Sequence, residues 1–223
     1  ASGSPYAVTV LTQPSNLSQT CTVTGGGPGT VTNANVNVSI SCVTNSFTVG
    51  GTVTGYNSFG GGGFTPRLNG IANAGNNLLL NANGTFTFTG APLFDGSTYS
   101  VAVFVQPLQQ TCTVSPNNGT LAGANVTNIA VTCTTTAYAV GGTITGLTGT
   151  GLVLRNSYDL GINTENFTVP ANATTFTFPT HVSFNSTYSV TVPTQPGSPT
   201  QTCTVATGTG SGTVLGAVTS VSI

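Results

Sequence analysis

Charged side chains are almost absent from this sequence of 223 residues, which has two Arg, no Lys and three carboxylates. About a quarter of an average soluble chain is charged, whereas here the fraction is 2%. Acid–base pairs for catalysis and carboxylate cages for calcium or magnesium are therefore nearly unavailable, so we expect no enzyme, no metal and no cofactor. Two Arg cannot neutralise a run of phosphates, so we also expect no nucleic-acid partner.

Long apolar runs are missing as well. No stretch reaches the roughly 20 apolar residues that a membrane-spanning helix requires, so we expect no membrane span. The chain starts Ala1-Ser2-Gly3-Ser4 without a charged and apolar leader, and we interpret it as a mature or excised piece. The apolar fraction of 38% and the mean hydropathy of +0.24 predict a folded chain rather than a disordered one.

One module is repeated along the chain. Cysteines at the same position of successive copies lie 91 residues apart, namely Cys21, Cys112 and Cys203, and likewise Cys42 and Cys133. This period predicts the C-terminal half of a module at 1–45, a complete module at 46–136, and a module lacking its final cysteine at 137–223.

The partial copy at 1–45 lacks the front strands of its module, so it would expose an apolar face and a free sheet edge to water. We expect strands from outside the chain to complete it. They come either from an upstream part of the same polypeptide or from a neighbouring subunit, and we favour the subunit joint. The residues predicted at this joint are Tyr6, Val8, Val10, Val36, Val38 and Ile40.

Alternation of apolar with small or polar residues indicates half-buried strands, most clearly at 85–89, 99–103 and 175–178. Thr, Val, Phe and Tyr also favour strands intrinsically. Clusters of Gly, Asn and Pro separate the segments, and no stretch has a helical pattern. We therefore predict an all-β chain of tandem β-sandwich modules of about 90 residues. The strands predicted in the third copy are Gly141-Gly142-Thr143, 151–155, 166–169, 175–179, 188–192, 202–205 and 218–223.

Each complete cysteine pair brackets 20 residues, with one cysteine starting a strand and the other ending the next. These positions lie side by side in an antiparallel hairpin, so we predict disulfides between Cys21 and Cys42 and between Cys112 and Cys133. Each would contribute roughly 3 kcal/mol in the chain-entropy model. Disulfides persist in oxidising compartments, which favours an extracellular or periplasmic protein, and we expect a secreted protein at the cell surface. We expect Cys203 to stay unpaired or to pair externally.

Five motifs of the third copy carry a resemblance to known proteins: Val-Gly-Gly-Thr-Ile-Thr-Gly-Leu at 140–147, Gly-Leu-Val-Leu at 151–154, Phe-Thr-Phe at 176–178, Ser-Thr-Tyr-Ser-Val-Thr-Val at 186–192 and Gln-Thr-Cys-Thr-Val at 201–205. The module resembles a tandem repeat of large secreted bacterial surface proteins, and its front half is similar to the prealbumin-like or Cna-B-like domains of adhesin stalks and pili. The resemblance implies Ig-like or prealbumin-like sandwiches at the cell surface. Cna-B-like domains often contain a Lys–Asn isopeptide bond, which a chain without Lys cannot form, so the disulfide is expected to take its place.

A Gly-rich insertion in the second copy carries Tyr56, Phe59 and Phe64. Exposed rings on such a loop could stack on a sugar, or they could pack against a neighbouring domain or subunit. Arg67 and Arg155 occupy equivalent positions and could make one contact per module, or they could be solvated residues at strand ends. These five residues are the candidates for a ligand or contact loop.

A surface with so little charge has no electrostatic means of keeping copies apart, so we expect self-association. The sequence thus predicts a structural subunit or segment of an extracellular bacterial filament, assembled by strand complementation and apolar packing between copies. The alternative is the stalk and ligand-binding region of a surface adhesin whose ligand is a glycan or another surface.

Overall fold

The computed structural model describes residues 2–59, 61–71, 73, 75–90 and 93–223. Every helix or strand within these ranges is a β-strand, which confirms the all-β prediction. A helix long and apolar enough to cross a membrane is not found in this part of the chain. The strands, in chain order, are β1 (Pro5–Ala7), β2 (Gln19–Gly25), β3 (Pro28–Thr30), β4 (Ser39–Thr44), β5 (Ser46–Phe47), β6 (Val49–Thr54), β7 (Thr65–Leu68), β8 (Gly84–Thr87), β9 (Leu93–Phe94), β10 (Thr98–Val105), β11 (Gln110–Ser115), β12 (Asn118–Thr120), β13 (Val126–Thr135), β14 (Ala137–Tyr138), β15 (Val140–Thr143), β16 (Val153–Tyr158), β17 (Asn163–Thr168), β18 (Thr175–Thr177), β19 (Val182–Ser183), β20 (Thr187–Thr194), β21 (Ser211–Thr213) and β22 (Val218–Ser222).

The chain divides into two compact units. Unit 1 comprises Ala1–Leu108 and Cys112–Thr134, and unit 2 comprises Gln109–Thr111 and Thr135–Ile223. Unit 1 therefore holds the partial first copy of the repeat together with most of the second copy. Unit 2 is built mainly from the third copy.

Unit 2 contains two main sheets. One has the strand order β17-β16-β20-β21 with antiparallel neighbours, and the other has the order β18-β15-β22. In the second sheet, β15 pairs antiparallel with β18 but parallel with β22. A short antiparallel pair, β14 with β19, completes the unit.

The second copy of the repeat, inside unit 1, shares most of this arrangement but has no counterpart of β17 among its described strands and has one additional strand, β11. Its sheets have the orders β12-β10-β7 and β11-β13-β6-β8, and β6 pairs parallel with β13. The pair formed by β5 and β9 corresponds to β14 and β19. The partial first copy contributes two separate antiparallel pairs, β1 with β3 and β2 with β4.

Alternating Thr-Phe segments place their phenylalanines in the core of each unit. Phe176 and Phe178 in unit 2 are 4% and 1% exposed, and their rings meet edge to face with centroids 5.6 Å apart. Phe86 and Phe88 in unit 1 have the same arrangement, with the same separation. Full burial of such a side chain contributes about 1.5–3 kcal/mol, so these residues are major sources of stability.

Each copy places a tyrosine opposite a glycine across an antiparallel pair: Tyr6 with Gly29, Tyr99 with Gly119, and Tyr188 with Gly212. A Cβ at Gly29 would lie 2.8 Å from the Tyr6 hydroxyl oxygen, so the phenol covers the glycine. An aromatic side chain in this position shields backbone that the glycine leaves open. The partial copy thus folds β1 and β3 in the same way as the complete copies fold the corresponding strands.

Gly142 allows β15 and β22 to approach each other in parallel. A Cβ at this position would lie 1.8 Å from the carbonyl oxygen of Val221. We expect Gly142→Ala to lower the free energy of unfolding of unit 2 by about 1–3 kcal/mol, because the strands must separate to admit a methyl group. Gly216→Ala is the matched control, since nothing lies within 4 Å of the added methyl. Equal unfolding midpoints of the two variants in urea would contradict this interpretation.

Several strands predicted in the third copy have other bounds in the structure, and one is absent. The strand predicted at 151–155 is β16, which begins later and continues to Tyr158, and the strand predicted at 166–169 is β17, which begins earlier, at Asn163. The segment 202–205 is not a strand. The matching segment of the second copy, β11, pairs with β13. Next to 202–205, the Ala206 N–H donates to the Ser222 carbonyl at 2.8 Å, but a single backbone–backbone bond does not make a ladder.

Candidate assembly interface

The pair formed by β2 and β4 carries the first disulfide. Cys21 lies directly opposite Cys42 in the antiparallel register, and the two sulfurs are bonded. Cys112 and Cys133 are bonded in the second copy. β4 begins at Ser39, so of the residues predicted at the joint Ile40 lies on this strand and Val36 and Val38 precede it. A covalent bond thus holds β4 against β2 in the partial copy, as another holds β13 against β11.

A glutamine preceding the first cysteine of each copy binds the backbone of that cysteine with both ends of its side-chain amide. The Cys21 N–H donates to Oε1 of Gln13 at 2.7 Å, and Nε2 of Gln13 donates to the Cys21 carbonyl at 3.0 Å. The same two bonds, at the same distances, join Gln106 to Cys112 and Gln195 to Cys203. The amide occupies one edge of the cysteine segment as a neighbouring strand would, and the other edge is left for a pairing strand.

The outer edge of β4 distinguishes the partial copy from the complete second copy. Counted back from the second cysteine of each copy, Val38 and Ile40 correspond to Ile129 and Val131. Ile129 and Val131 are 0% exposed, whereas Val38 is 37% and Ile40 57% exposed. In the second copy β6 covers this edge of β13, but among the described strands β4 pairs with β2 alone. The partial copy therefore presents an uncovered apolar edge at residues 38–41, called the β4 edge below.

The other residues predicted at the joint differ in exposure. Val36 is 39% exposed, about as much as Val38, and lies just before the β4 edge. Tyr6, Val8 and Val10 are half-buried. Val8 also donates its N–H to the Gly27 carbonyl at 3.0 Å, inside the partial copy itself. The uncovered apolar surface is therefore concentrated on β4 and the residues before it.

Cys203 is a free cysteine in a segment that lacks a partner strand among the described residues. Its side chain is half-buried and packs against the core of unit 2, and Gln195 holds its backbone as described above. The segment 202–205 thus shares the glutamine contact of β2 and β11, but Cys203 forms no disulfide.

Asp95 connects the partial copy to the second copy inside unit 1. Its side chain is 9% exposed and accepts the backbone N–H of Ser18 at 2.5 Å and that of Gly123 at 2.7 Å. The Asp95 N–H donates to the Asn45 carbonyl at 2.9 Å. The N–H groups of Ser18 and Gly123 hold the pKa of Asp95 below its ordinary value of 3.8, against desolvation, which raises it.

We expect the stability of unit 1 to decrease in acid because of Asp95. Its pKa is depressed in the folded chain, so the carboxylate stabilises unit 1 fully above the ordinary pKa of 3.8 that the unfolded chain has. That contribution is lost as the pH falls through the lower folded-state pKa. Asp95→Asn should reduce stability at neutral pH and flatten the acid dependence, as measured by urea unfolding of unit 1.

Asp159→Asn is the control for this effect, because Asp159 lies on a hairpin of unit 2 and its carboxylate accepts a bond from the Asn163 side chain. It should leave the acid dependence of unit 1 unchanged. An identical acid dependence of unit 1 in the wild type and in Asp95→Asn would show that the carboxylate does not stabilise the connection between the two copies.

The predicted aromatic contact loop requires a correction. Tyr56 and Phe64 are 5% and 0% exposed, and their ring centroids lie 5.6 Å apart in the core of unit 1. Burial of the two rings against each other makes them core residues, so neither can stack on a ligand. Phe59 is half-exposed.

The two arginines are bound within their own modules. Nε of Arg67 donates to the Asn77 side chain at 3.3 Å, and Nε of Arg155 donates to the Asn166 side chain at 2.9 Å. The guanidinium carbon of Arg67 also lies 3.3 Å from the centroid of the Phe104 ring, in a cation–π arrangement. The contact predicted once per module is therefore an Arg–Asn bond inside the module.

No family model and no curated protein matches this chain. Among solved structures, the chain is similar to the Bacillus anthracis TIE protein, with 11% sequence identity and a TM-score of 0.48. The similarity covers 92% of the present chain and 40% of the TIE protein chain. At this level of similarity, no property of that protein is transferred to the present one.

Proposed function

We propose that this protein is a structural segment of an extracellular filament and that it has no catalytic activity. Its modules would be tandem Ig-like or prealbumin-like sandwiches at 1–45, 46–136 and 137–223, with the first completed by strands from outside the chain. Strand complementation by another polypeptide and apolar packing of the repeated sandwich domains would hold the filament together.

The β4 edge is the observation that carries this proposal. Its apolar residues occupy positions that are fully buried in the second copy, and they remain open beside a disulfide-bonded pair of strands. An unpaired edge next to apolar side chains is a template for adding another strand. A strand added along this edge would bury Val38 and Ile40 in the same way that Ile129 and Val131 are buried. If another polypeptide supplies that strand, the pairing links the two polypeptides.

Cysteine chemistry and charge both support the extracellular assignment. Two disulfides in so small a chain are typical of oxidising compartments. A charged fraction of 2% leaves little electrostatic repulsion between copies, which favours a polymer over a dispersed monomer.

Electron microscopy of material from producing cells tests the proposal with two variants. Ile40→Asp places a charge on the β4 edge and should abolish regular helical fibres. Val43→Asp is the matched control, because Val43 is 63% exposed on the same strand but corresponds to Thr134, which is exposed in the second copy. Wild type and Val43→Asp should therefore form fibres.

Fibres of Ile40→Asp that equal those of the wild type would contradict strand complementation at β4. Isolated flexible stalks in place of wild-type fibres would contradict the filament and favour the stalk of an adhesin.

A further inference from the structure

We infer that the β4 edge binds one kind of partner: a parallel strand with two consecutive glycines, presented by another polypeptide. This inference rests on the proposed function and specifies the partner of the same edge. It draws on how the two more complete copies cover the corresponding edge of their own strands.

In both of those copies the covering strand is parallel and contains Gly-Gly-Thr. β6 pairs with β13 so that Gly51 lies opposite Ile129, and β15 pairs with β22 so that Gly142 lies opposite Val221. The same register therefore recurs in two separate units.

The two glycines of this motif face different neighbours. A Cβ at Gly51 would lie 1.7 Å from the carbonyl oxygen of Ile129, on the parallel partner strand. A Cβ at Gly50 would lie 2.3 Å from the carbonyl oxygen of Phe86, on the antiparallel strand β8. The second glycine is therefore required by the parallel partner, whereas the first is required by β8.

The β4 edge provides the same parallel surface. Val38 corresponds to Ile129, and Ile40 corresponds to Val131. The Val38 carbonyl oxygen therefore corresponds to the Ile129 carbonyl oxygen, which in the second copy leaves no room for a Cβ at Gly51. A docking strand must have glycine opposite Val38, because any side chain there would push the two strands apart. Apolar residues on either side of the glycines, such as Val49 and Val53 of β6, would cover the exposed side chains of β4.

Both Gly-Gly strands of this chain are already paired within their own modules, β6 with β8 and β13, and β15 with β18 and β22. If one of these strands left its own module to cover the β4 edge of another copy, the strand that it had paired with would lose its neighbour, so one edge would be uncovered for each edge covered. Neither strand is therefore free to cover the β4 edge, and, in keeping with the subunit joint proposed above, the docking strand is taken to be a free strand of another polypeptide, added by β-augmentation.

A labelled peptide with the sequence of residues 46–55, Ser-Phe-Thr-Val-Gly-Gly-Thr-Val-Thr-Gly, tests this inference by fluorescence anisotropy against the monomeric full chain. The peptide should bind saturably. Alanine at the place of Gly51 should weaken binding by at least about tenfold, because the methyl group meets the β4 backbone. Alanine at the place of Gly50 should change affinity by less than about twofold, because the peptide brings no β8 to clash with.

Variants of the chain locate the site. Ile40→Asp should weaken binding of the unmodified peptide by at least about tenfold, because Ile40 corresponds to the buried Val131. Val43→Asp should leave binding unchanged, because Val43 corresponds to the exposed Thr134. Absence of saturable binding, equal losses from the two alanine peptides, or binding that ignores Ile40→Asp would each overturn the inference.

The peptide result and the fibre result can fail separately. Fibres that depend on Ile40 while the peptide shows no preference between the two glycines would remove the Gly-Gly assignment and leave the filament proposal standing. Selective peptide binding without fibres in native material would remove the filament and leave the assigned partner.

Discussion

Replacing Phe178 by alanine is expected to lower the free energy of unfolding of unit 2 by about 3–5 kcal/mol. The side chain is 1% exposed, and its ring contacts those of Phe176 and Phe167, with centroids 5.6 Å and 6.1 Å away. Truncation removes buried apolar area and leaves a cavity between rings that cannot all move inward. A unit of this size has a small total stability, so the loss should unfold a large share of the molecules.

Leu160→Ala is the matched control in the same unit, because Leu160 is 86% exposed at the tip of the hairpin between β16 and β17. Its effect should stay within about 0.5 kcal/mol. Urea unfolding followed by far-UV circular dichroism suits this chain, which lacks Trp. A Phe178→Ala midpoint equal to that of Leu160→Ala would show that the Thr-Phe-Thr-Phe segment is not the core of unit 2.

Removal of the disulfide between Cys112 and Cys133 is expected to have an effect of similar size. The double variant Cys112→Ala with Cys133→Ala should lose about 3 kcal/mol from unit 1, since the bond closes a loop across 21 residues and restricts the unfolded chain. Both cysteines are also in the core, at 3% and 5% exposure, so some packing is lost with the bond.

Cys203→Ala provides the control, because Cys203 forms no disulfide and lies in unit 2. It should leave the unfolding of unit 1 unchanged, with or without reductant. Reductant should lower the stability of unit 1 in the wild type but have a smaller effect in the double variant, in which one bond remains. Equal stability of unit 1 in the wild type and the double variant would contradict a stabilising role for this bond.

Repetition and alternation allowed much of the strand pattern to be predicted from sequence. The Thr-Phe segments became β8 and β18, and Phe86 and Phe176 are buried because residues two apart share one face of a strand. The position of 202–205 could not be predicted in the same way. A strand exists only beside a neighbour, and local alternation does not say whether the neighbour is present.

Polar contacts between residues that are distant in the sequence could not be predicted from the sequence pattern either. Gln13 reaches Cys21 across eight residues, but Gln106 reaches Cys112 across six, so no fixed spacing marks the amide bonds. Asp95 depends on the Ser18 N–H, 77 positions away. Tyr56 and Phe64 flank a Gly-rich run that is typical of an exposed loop, yet their rings turn inward because burial favours large apolar surfaces.

Helical reconstruction of native fibres by electron cryomicroscopy would test most directly whether the β4 edge is the joint of a filament. The account predicts a strand running parallel to residues 38–41, contributed by another polypeptide, with glycine opposite Val38 and with Val38 and Ile40 buried. Fibres in which the β4 edge faces solvent, or in which an antiparallel strand without glycine covers it, would contradict the account.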